Sequence, residues 1–457
     1  MRNKVKIKFL GAAGTATGSK FYIEYQSVKL LVDCGMFQGL KELRLLNWED
    51  LPIPVAELDY VLLTHGHLDH TGYLPKLRQQ GFAGEILGTS PSLAIAEIIL
   101  KDTAKIQEEE AERANEEKYS KHHPAEPNYS LEEVEETLGL FRHIEPGEWI
   151  ELAENVRCRH HKAGHILGAC FIELEIEEKI LLFSGDLGRS EDLLLDKPEE
   201  PRWADYLFLE STYGDRLHPE EDVETILTGL IKKSIEQNGI LLIASFAVER
   251  LQLLIYLLWN LFKKNKVPHL PVFIDSPMGI DATNLFSRYP GYHKVPAYEF
   301  EAIKNQFELV SSYRRTWEII DKNIPRIVIA GSGMLTGGRI LTYLKQFIDE
   351  PSTNLLLTGY QAEGTRGRQL EEGAYEIKIE GKYFPVKANI AKLESLSAHA
   401  DQAELLDWCR HIKNVPEQVF LIHGEKHVTD AFRVKLESEF QWNINIPAIN
   451  DEIHLDL

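Results

Sequence analysis

The run His65-Gly66-His67-Leu68-Asp69-His70 places three imidazoles and one carboxylate within six residues. Asp59-Tyr-Val-Leu-Leu-Thr64 ahead of it is a short apolar run with the pattern of a buried strand. Thr71 to Leu77 behind it passes through glycine and proline into a helical pattern. The cluster is therefore expected at the carboxyl end of a strand, the edge where open α/β sheets place ligands. Neutral imidazoles and carboxylates suit Zn²⁺ and similar divalent ions. Two histidines separated by one residue on an extended turn can reach one ion, and the adjacent Asp69-His70 pair is directed at a second. The stretch thus points to an α/β chain with a metal centre.

A chain of 457 residues exceeds the usual size of one domain, so two are expected. The longest apolar stretch, Leu251 to Phe262, is too short to span a bilayer and reads as a buried helix, so no membrane partner is expected. The N-terminal residues alternate charge with apolar side chains, a strand pattern rather than a secretion signal. Cys34, Cys158, Cys170 and Cys409 are scattered without a CxxC pair. They read as reduced core residues of a cytoplasmic protein. The net charge of −21 argues against loose adhesion to polyanions over the whole surface and leaves room for a local groove.

Several further residues are candidates. Asp33 follows the apolar run Val28 to Val32 and precedes Gly35. It is either a turn residue or an acceptor that orients a histidine ligand. His165 lies between Gly164 and Gly168, where the backbone can approach closely, whereas His160 and His161 have nothing comparable to position them. Asp186 ends another strand pattern in a glycine turn. His165 or Asp186 alone could be structural; together with His65–His70 they supply the missing ligands of a two-metal site. Residues 92–140 read as acidic, solvated helix, with His122-His123 as loop residues.

From Ala204 onward, strand and helix patterns alternate, which predicts a second domain with a mostly parallel sheet. Its strand ends carry polar loops. Ser245 to Arg250 is one, and Gly331-Ser332-Gly333-Met-Leu-Thr336-Gly337-Gly-Arg339 is another. Free N–H groups at a helix start can bind phosphate, and Arg339 adds charge, although no Walker A pattern is present. Gly359 to Arg368, with Arg366 and Arg368, is a third loop suited to a polyanion backbone. Ser245, Arg250, Ser332, Gly333, Thr336, Gly337, Arg339, Arg366 and Arg368 are the expected phosphate contacts.

In the last third, Ser395-Leu-Ser-Ala-His399-Ala-Asp401 precedes a helix, and a strand pattern ends on His423. The His65–His70 signature resembles the metallo-β-lactamase superfamily. The ordered set Asp33, His65–His70, His165, Asp186, Glu210, His399 and His423 resembles its β-CASP ribonucleases, in particular the cleavage and polyadenylation endonuclease branch with its bacterial and archaeal relatives.

The resemblance implies a metallo-β-lactamase αββα sandwich over 1–211 and 387–457, interrupted by a parallel-sheet β-CASP domain over 212–386. It implies two Zn²⁺ ions, with Mn²⁺ as the alternative. His65, His67 and His165 would hold one ion, and Asp69, His70 and His423 the other, with Asp186 bridging and Asp33 behind a ligand. Asp69, Glu210 and His399 would form the catalytic set, with Glu210 orienting His399 to protonate the leaving oxygen. Histidine at position 423 favours RNA, expected single-stranded and in a cleft between the domains, cut endonucleolytically to 5′-phosphate and 3′-hydroxyl ends. A 5′-to-3′ exoribonuclease is the alternative. A small-molecule metallo-hydrolase leaves the inserted domain unexplained, and a non-catalytic RNA-binding scaffold would not need the full ligand set. An acidic protein that handles RNA could also draw on a homodimer.

Overall fold

The computed structural model describes residues 4–118, 122–359 and 361–457. It divides into two compact units, one made of the residues up to Leu217 together with His399–Leu457, the other of His218–Ala398.

The first unit is built on two sheets, each seven-stranded among the described residues. In the strand Lys4–Phe9, Val5, Ile7 and Phe9 are buried while the lysines between them are more exposed, as a period of two requires. This strand pairs antiparallel with Phe21–Tyr25 and with Glu452–Asp456, so the two ends of the described chain share one sheet. Val28–Val32, Tyr60–Leu62 and Glu85–Thr89 then run parallel to one another. In the second sheet, Lys179–Phe183, Tyr206–Glu210 and Gln418–Ile422 are the parallel neighbours.

The inward faces of both sheets meet in one apolar core. At its centre Phe208 stacks between Phe183 and Phe420, with ring centroids at 4.2 and 4.9 Å. The outer face of the first sheet packs Val61, Leu63 and Ile86 against Leu74, Leu77 and Leu100 from the flanking helices. The acidic region expected to be helical resolves into Ser90–Glu117 and Leu131–Leu138. The shorter helix opens on a capping box between Ser130 and Glu133.

The second unit holds a sheet that is six-stranded among the described residues, with its strands paired in parallel. Its central strands Ile240–Ala244, Arg326–Ala330 and Asn354–Thr358 are buried throughout, as continuous apolar runs covered on both faces should be. Asn389–Leu393, read from the sequence as part of the closing segment, pairs with Asn354–Thr358 and belongs to this sheet. No helix among the described residues is long and apolar enough to cross a membrane.

Candidate metal centre

Parallel neighbours end at the same level, so their terminal loops come together. In the first sheet this places Asp33 beside Thr64 and the His65–His70 turn. In the second it places Asp186, Glu210 and His423 side by side. The site is made from the carboxyl ends of strands in both sheets of the first unit.

Among the described residues two sets of donor atoms converge there, with Asp186, Glu210 and His423 as a third, overlapping group. His67 Nδ1 lies 3.1 Å from His65 Nε2 and 3.3 Å from His165 Nε2. Asp186 Oδ2 is 3.5 Å from both Nε2 atoms. In the second set, His423 Nε2 lies 3.2 Å from His70 Nε2 and 3.5 Å from Asp69 Oδ2. Asp186 Oδ1 is 3.4 Å from His70 Nε2 and 3.5 Å from the His423 ring. Tetrahedral ligands at Zn–N and Zn–O distances of about 2.0–2.1 Å stand about 3.3 Å from each other. Both sets have that spacing, and the Asp186 carboxylate faces both. Asp186 Oδ1 is buried and has no hydrogen-bond partner, which suits an atom that faces a cation.

The surroundings favour the neutral, ligating forms of His65 and His67. Burial pushes the His65 imidazole well below its ordinary pKa and that of His67 down to about 4, which leaves both neutral. Burial works in the same direction on His70, but Asp186 and Asp33 outweigh it and raise that group. Burial would raise Asp186, yet the surrounding imidazoles, His423 foremost, hold it well below the usual carboxylate range.

Asp33 lies behind the donors. It is buried, in a left-handed conformation (φ 57°), and its carboxylate accepts from the Thr64 amide, the Thr64 hydroxyl and His70 Nδ1, each at 2.8 Å. That bond leaves His70 Nε2 facing Asp186 and His423. Thr212 Oγ1 does the corresponding job 3.1 Å from His423 Nδ1. Neither threonine stands out in the sequence, because a threonine after a strand is common and its partners are distant along the chain. Gly185 (φ 53°) admits the strand end: a Cβ there would stand 2.7 Å from Thr64 Cβ.

Glu210 is fully buried and accepts from the Leu187 amide at 2.6 Å. Its Oε2 is 3.3 Å from His399 Nδ1, and His399 Nε2 is 4.0 Å from Asp186 Oδ2. His399 is carried on a loop fixed at its end by Asp401, which caps the helix Gln402–Arg410 in a capping box with Glu404. Burial disfavours its charge, but Glu210 and Asp186 overcome that and raise its pKa.

The remaining histidine candidates lie apart from the donors. His161 is engaged by Glu173 at 3.1 Å and Glu199 at 3.0 Å, and His160 is buried within the strand Val156–Lys162; neither belongs to the donor sets, nor do His122 and His123.

Several of the expected phosphate contacts are engaged within the protein. Arg339 Nη1 donates to the fully buried Asp275 at 2.6 Å and to Thr316 Oγ1 at 2.9 Å, and its Nη2 to the Ser311 carbonyl. A buried carboxylate demands that pairing, so the guanidinium is not available. Arg366 donates to the Lys378 and Leu335 carbonyls and starts the helix Arg366–Glu371, where a loop was expected; Tyr360 of that loop lies outside the described residues. The Thr336 and Gly337 amides point at Ser332 Oγ, closing the turn on itself. Ser245, Gly333 and Arg250 are buried, with Arg250 packed against Gly359. Arg368 stays partly exposed beside Glu372 at 3.2 Å.

With this geometry in place, the chain can be compared with known proteins. The metallo-beta-lactamase superfamily model matches residues 18–235, the Beta-Casp domain model residues 251–370, and the model described as a Zn-dependent metallo-hydrolase RNA specificity domain residues 383–447. Fold and site define a metallo-hydrolase. Ribonuclease TTHA0252 of Thermus thermophilus is 36% identical over 92% of this chain and 94% of that protein. Transcription termination factor FttA of Methanocaldococcus jannaschii is 28% identical over 99% of this chain and 72% of that protein. An RNase J-like protein of the same organism is 28% identical over 94% of this chain and 95% of that protein. The chain belongs to the β-CASP family of metallo-β-lactamase-fold ribonucleases.

Proposed function

We propose that the protein is a zinc-dependent ribonuclease that cuts single-stranded RNA internally and leaves 5′-phosphate and 3′-hydroxyl ends. The observation that carries this reading is the Asp186 carboxylate between two complete donor sets, with the His399–Glu210 pair beside it. The relatives' names, ribonuclease TTHA0252 and transcription termination factor FttA, favour RNA as substrate.

His65, His67 and His165 would hold one ion and Asp69, His70 and His423 the other, both in contact with Asp186. Bound there, two such ions supply Lewis acidity and lower the pKa of water. Asp33 keeps the His70 proton on Nδ1 and frees Nε2 to ligate. Glu210 accepts from His399 Nδ1 and steadies the imidazolium, so that Nε2 carries the proton for the leaving 3′ oxygen. Asp69 would belong to the catalytic set as well as to the ligands of the second ion. In the second unit, Ser332, Thr336 and Arg368 retain enough exposure to touch a phosphate. Four free, buried cysteines fit a cytoplasmic enzyme.

The test uses zinc-loaded protein on a circular, unstructured RNA, with Asp186→Ala as control. Cutting by the wild type alone is the expected result, since a circle offers no end to enter. A surviving circle, with a matched 5′-monophosphorylated linear RNA degraded to mononucleotides, would replace this reading with a 5′-to-3′ exonuclease.

A further inference from the structure

Lys20 is a lysine with 1% of its surface exposed, just ahead of the strand Phe21–Tyr25. Its Nζ donates to the Gly35 carbonyl at 2.5 Å and the Gly18 carbonyl at 3.1 Å. It also sits 4.3 Å above the Phe37 ring and 5.3 Å from that of Tyr73. Burying an ammonium is costly, and burial pulls this one down to about 8. A group retained at that cost should hold something in place.

Its two acceptors lie on the two segments that seat the short helix Leu68–Thr71. The Ser19 amide donates to the Asp69 carbonyl at 2.8 Å, and the Cys34 and Met36 amides to the His70 and Leu68 carbonyls at 2.8 and 3.1 Å. The Gly35 amide donates to the Ser19 carbonyl at 2.9 Å, tying the segments to each other. A Cβ on Gly35 would lie 1.6 Å from the Asp69 carbonyl oxygen, so this backbone lies directly against the peptide between two donor residues. Asp33, which accepts from His70, is two residues away on the same segment.

We propose that Lys20 is a positioning residue for the Asp69–His70 half of the metal centre. Its ammonium cross-links the Gly18 and Gly35 carbonyls and thereby holds the two segments on which the Asp69–His70 turn rests. The inference rests on the reading of Asp69, His70 and His423 as the second metal subsite. It assigns Lys20 no contact with metal or substrate. The effect falls mainly on this subsite, because the amides of the segments it ties meet the carbonyls of Leu68, Asp69 and His70.

The experiment titrates full-length apoprotein with Zn²⁺ by calorimetry and with Co²⁺ by absorbance, alongside the apoprotein Tm. The proteins compared are the wild type, Lys20→Met, Lys20→Gln and the exposed control Lys197→Met. Lys20→Met should take the first ion within about threefold of wild type and the second about 10–100-fold more weakly, the usual cost of losing support behind a ligand. Lys20→Gln, shorter but still a donor, should fall between Lys20→Met and wild type. Lys20→Met binding both ions with wild-type affinity overturns the proposal, as does Lys20→Gln matching Lys20→Met at unchanged apoprotein Tm. Wild type that takes fewer than two ions overturns the metal reading itself and is seen before any variant is measured. Should Lys20→Met fail to fold, hydrogen exchange in Lys20→Gln decides. Severalfold faster exchange at the Ser19 and Cys34 amides supports the clamp, and unchanged exchange refutes it.

Discussion

Replacing Asp33 by asparagine isolates the control of one imidazole. The wild-type carboxylate accepts three hydrogen bonds at 2.8 Å, with Oδ1 facing the Thr64 amide and Oδ2 facing both the Thr64 hydroxyl and His70 Nδ1. A backbone amide can only donate, so the asparagine carbonyl must stay with Thr64 N–H, and its NH₂ then faces His70 Nδ1. Nδ1 becomes the acceptor, and the ring proton moves to Nε2, the atom 3.2 Å from His423 Nε2 and 3.4 Å from Asp186 Oδ1. That proton occupies the lone pair a metal needs. The expected loss is about 10–100-fold in affinity for the second ion, or about 1.4–2.7 kcal/mol. Asp33→Ala removes both acceptor oxygens, and with them all three hydrogen bonds, and leaves the Thr64 amide buried and unpaired, which adds about 1–3 kcal/mol of lost stability. The two variants therefore separate. Asparagine should lose metal with a modest change in apoprotein Tm, and alanine should lose both. Calorimetric titration with Zn²⁺ and a thermal melt in chelator measure the two quantities. An Asp33→Asn protein that binds two ions as tightly as the wild type would refute the tautomer argument.

His399→Ala should keep both ions by mass spectrometry and lose cleavage by about 10²–10⁴-fold, the usual contribution of a general acid; an emptied metal centre would make His399 a ligand instead. Phe208→Ala opens a cavity between two stacked rings in the core and should cost about 3–5 kcal/mol in denaturant unfolding of the apoprotein. Arg339→Ala strands the fully buried Asp275 and should cost about 3–5 kcal/mol, although Thr316 and Tyr343 still donate to that carboxylate. A neutral effect on stability would return Arg339 to the list of phosphate contacts. His161→Gln tests a pH window. Burial lowers the His161 pKa, but Glu173 and Glu199 raise it above 6.5, so its stabilisation is complete below 6.5 and fades as pH rises through the raised value. Burial raises Glu173, but His161 and Arg159 bring it below 4.5, so its share is present above 4.5 and fades in acid. The stability difference between wild type and variant in chelator should therefore be largest between pH 4.5 and 6.5. A difference that grows above that window would contradict the pairing.

Most candidate donors were legible because they follow apolar runs, and parallel strands deliver their ends to one edge whatever their distance in sequence, whereas His165 was marked only by its flanking glycines. Asp186, Glu210 and His423 reach adjacent strand ends in this way. The residues that hold them were not legible. Thr64, Thr212 and Lys20 carry no periodic signal, and their partners become neighbours only after the sheets form. Arg339 and Arg366 went the opposite way. Their sequence context, a glycine turn leading into a helix, is shared by phosphate sites and by turns that need a cation to neutralise an acid buried elsewhere. Asp275 is one more carboxylate at a strand end, yet nothing local in the sequence tells whether it faces solvent or the buried end of Arg339. The same carboxylate chemistry faces the proposed metal centre at Asp186 and makes a structural pairing at Asp275. What separates them is the company at the strand end: converging imidazoles with an unmet carboxylate oxygen at one, and an arginine, a threonine and a tyrosine that satisfy the oxygens at the other.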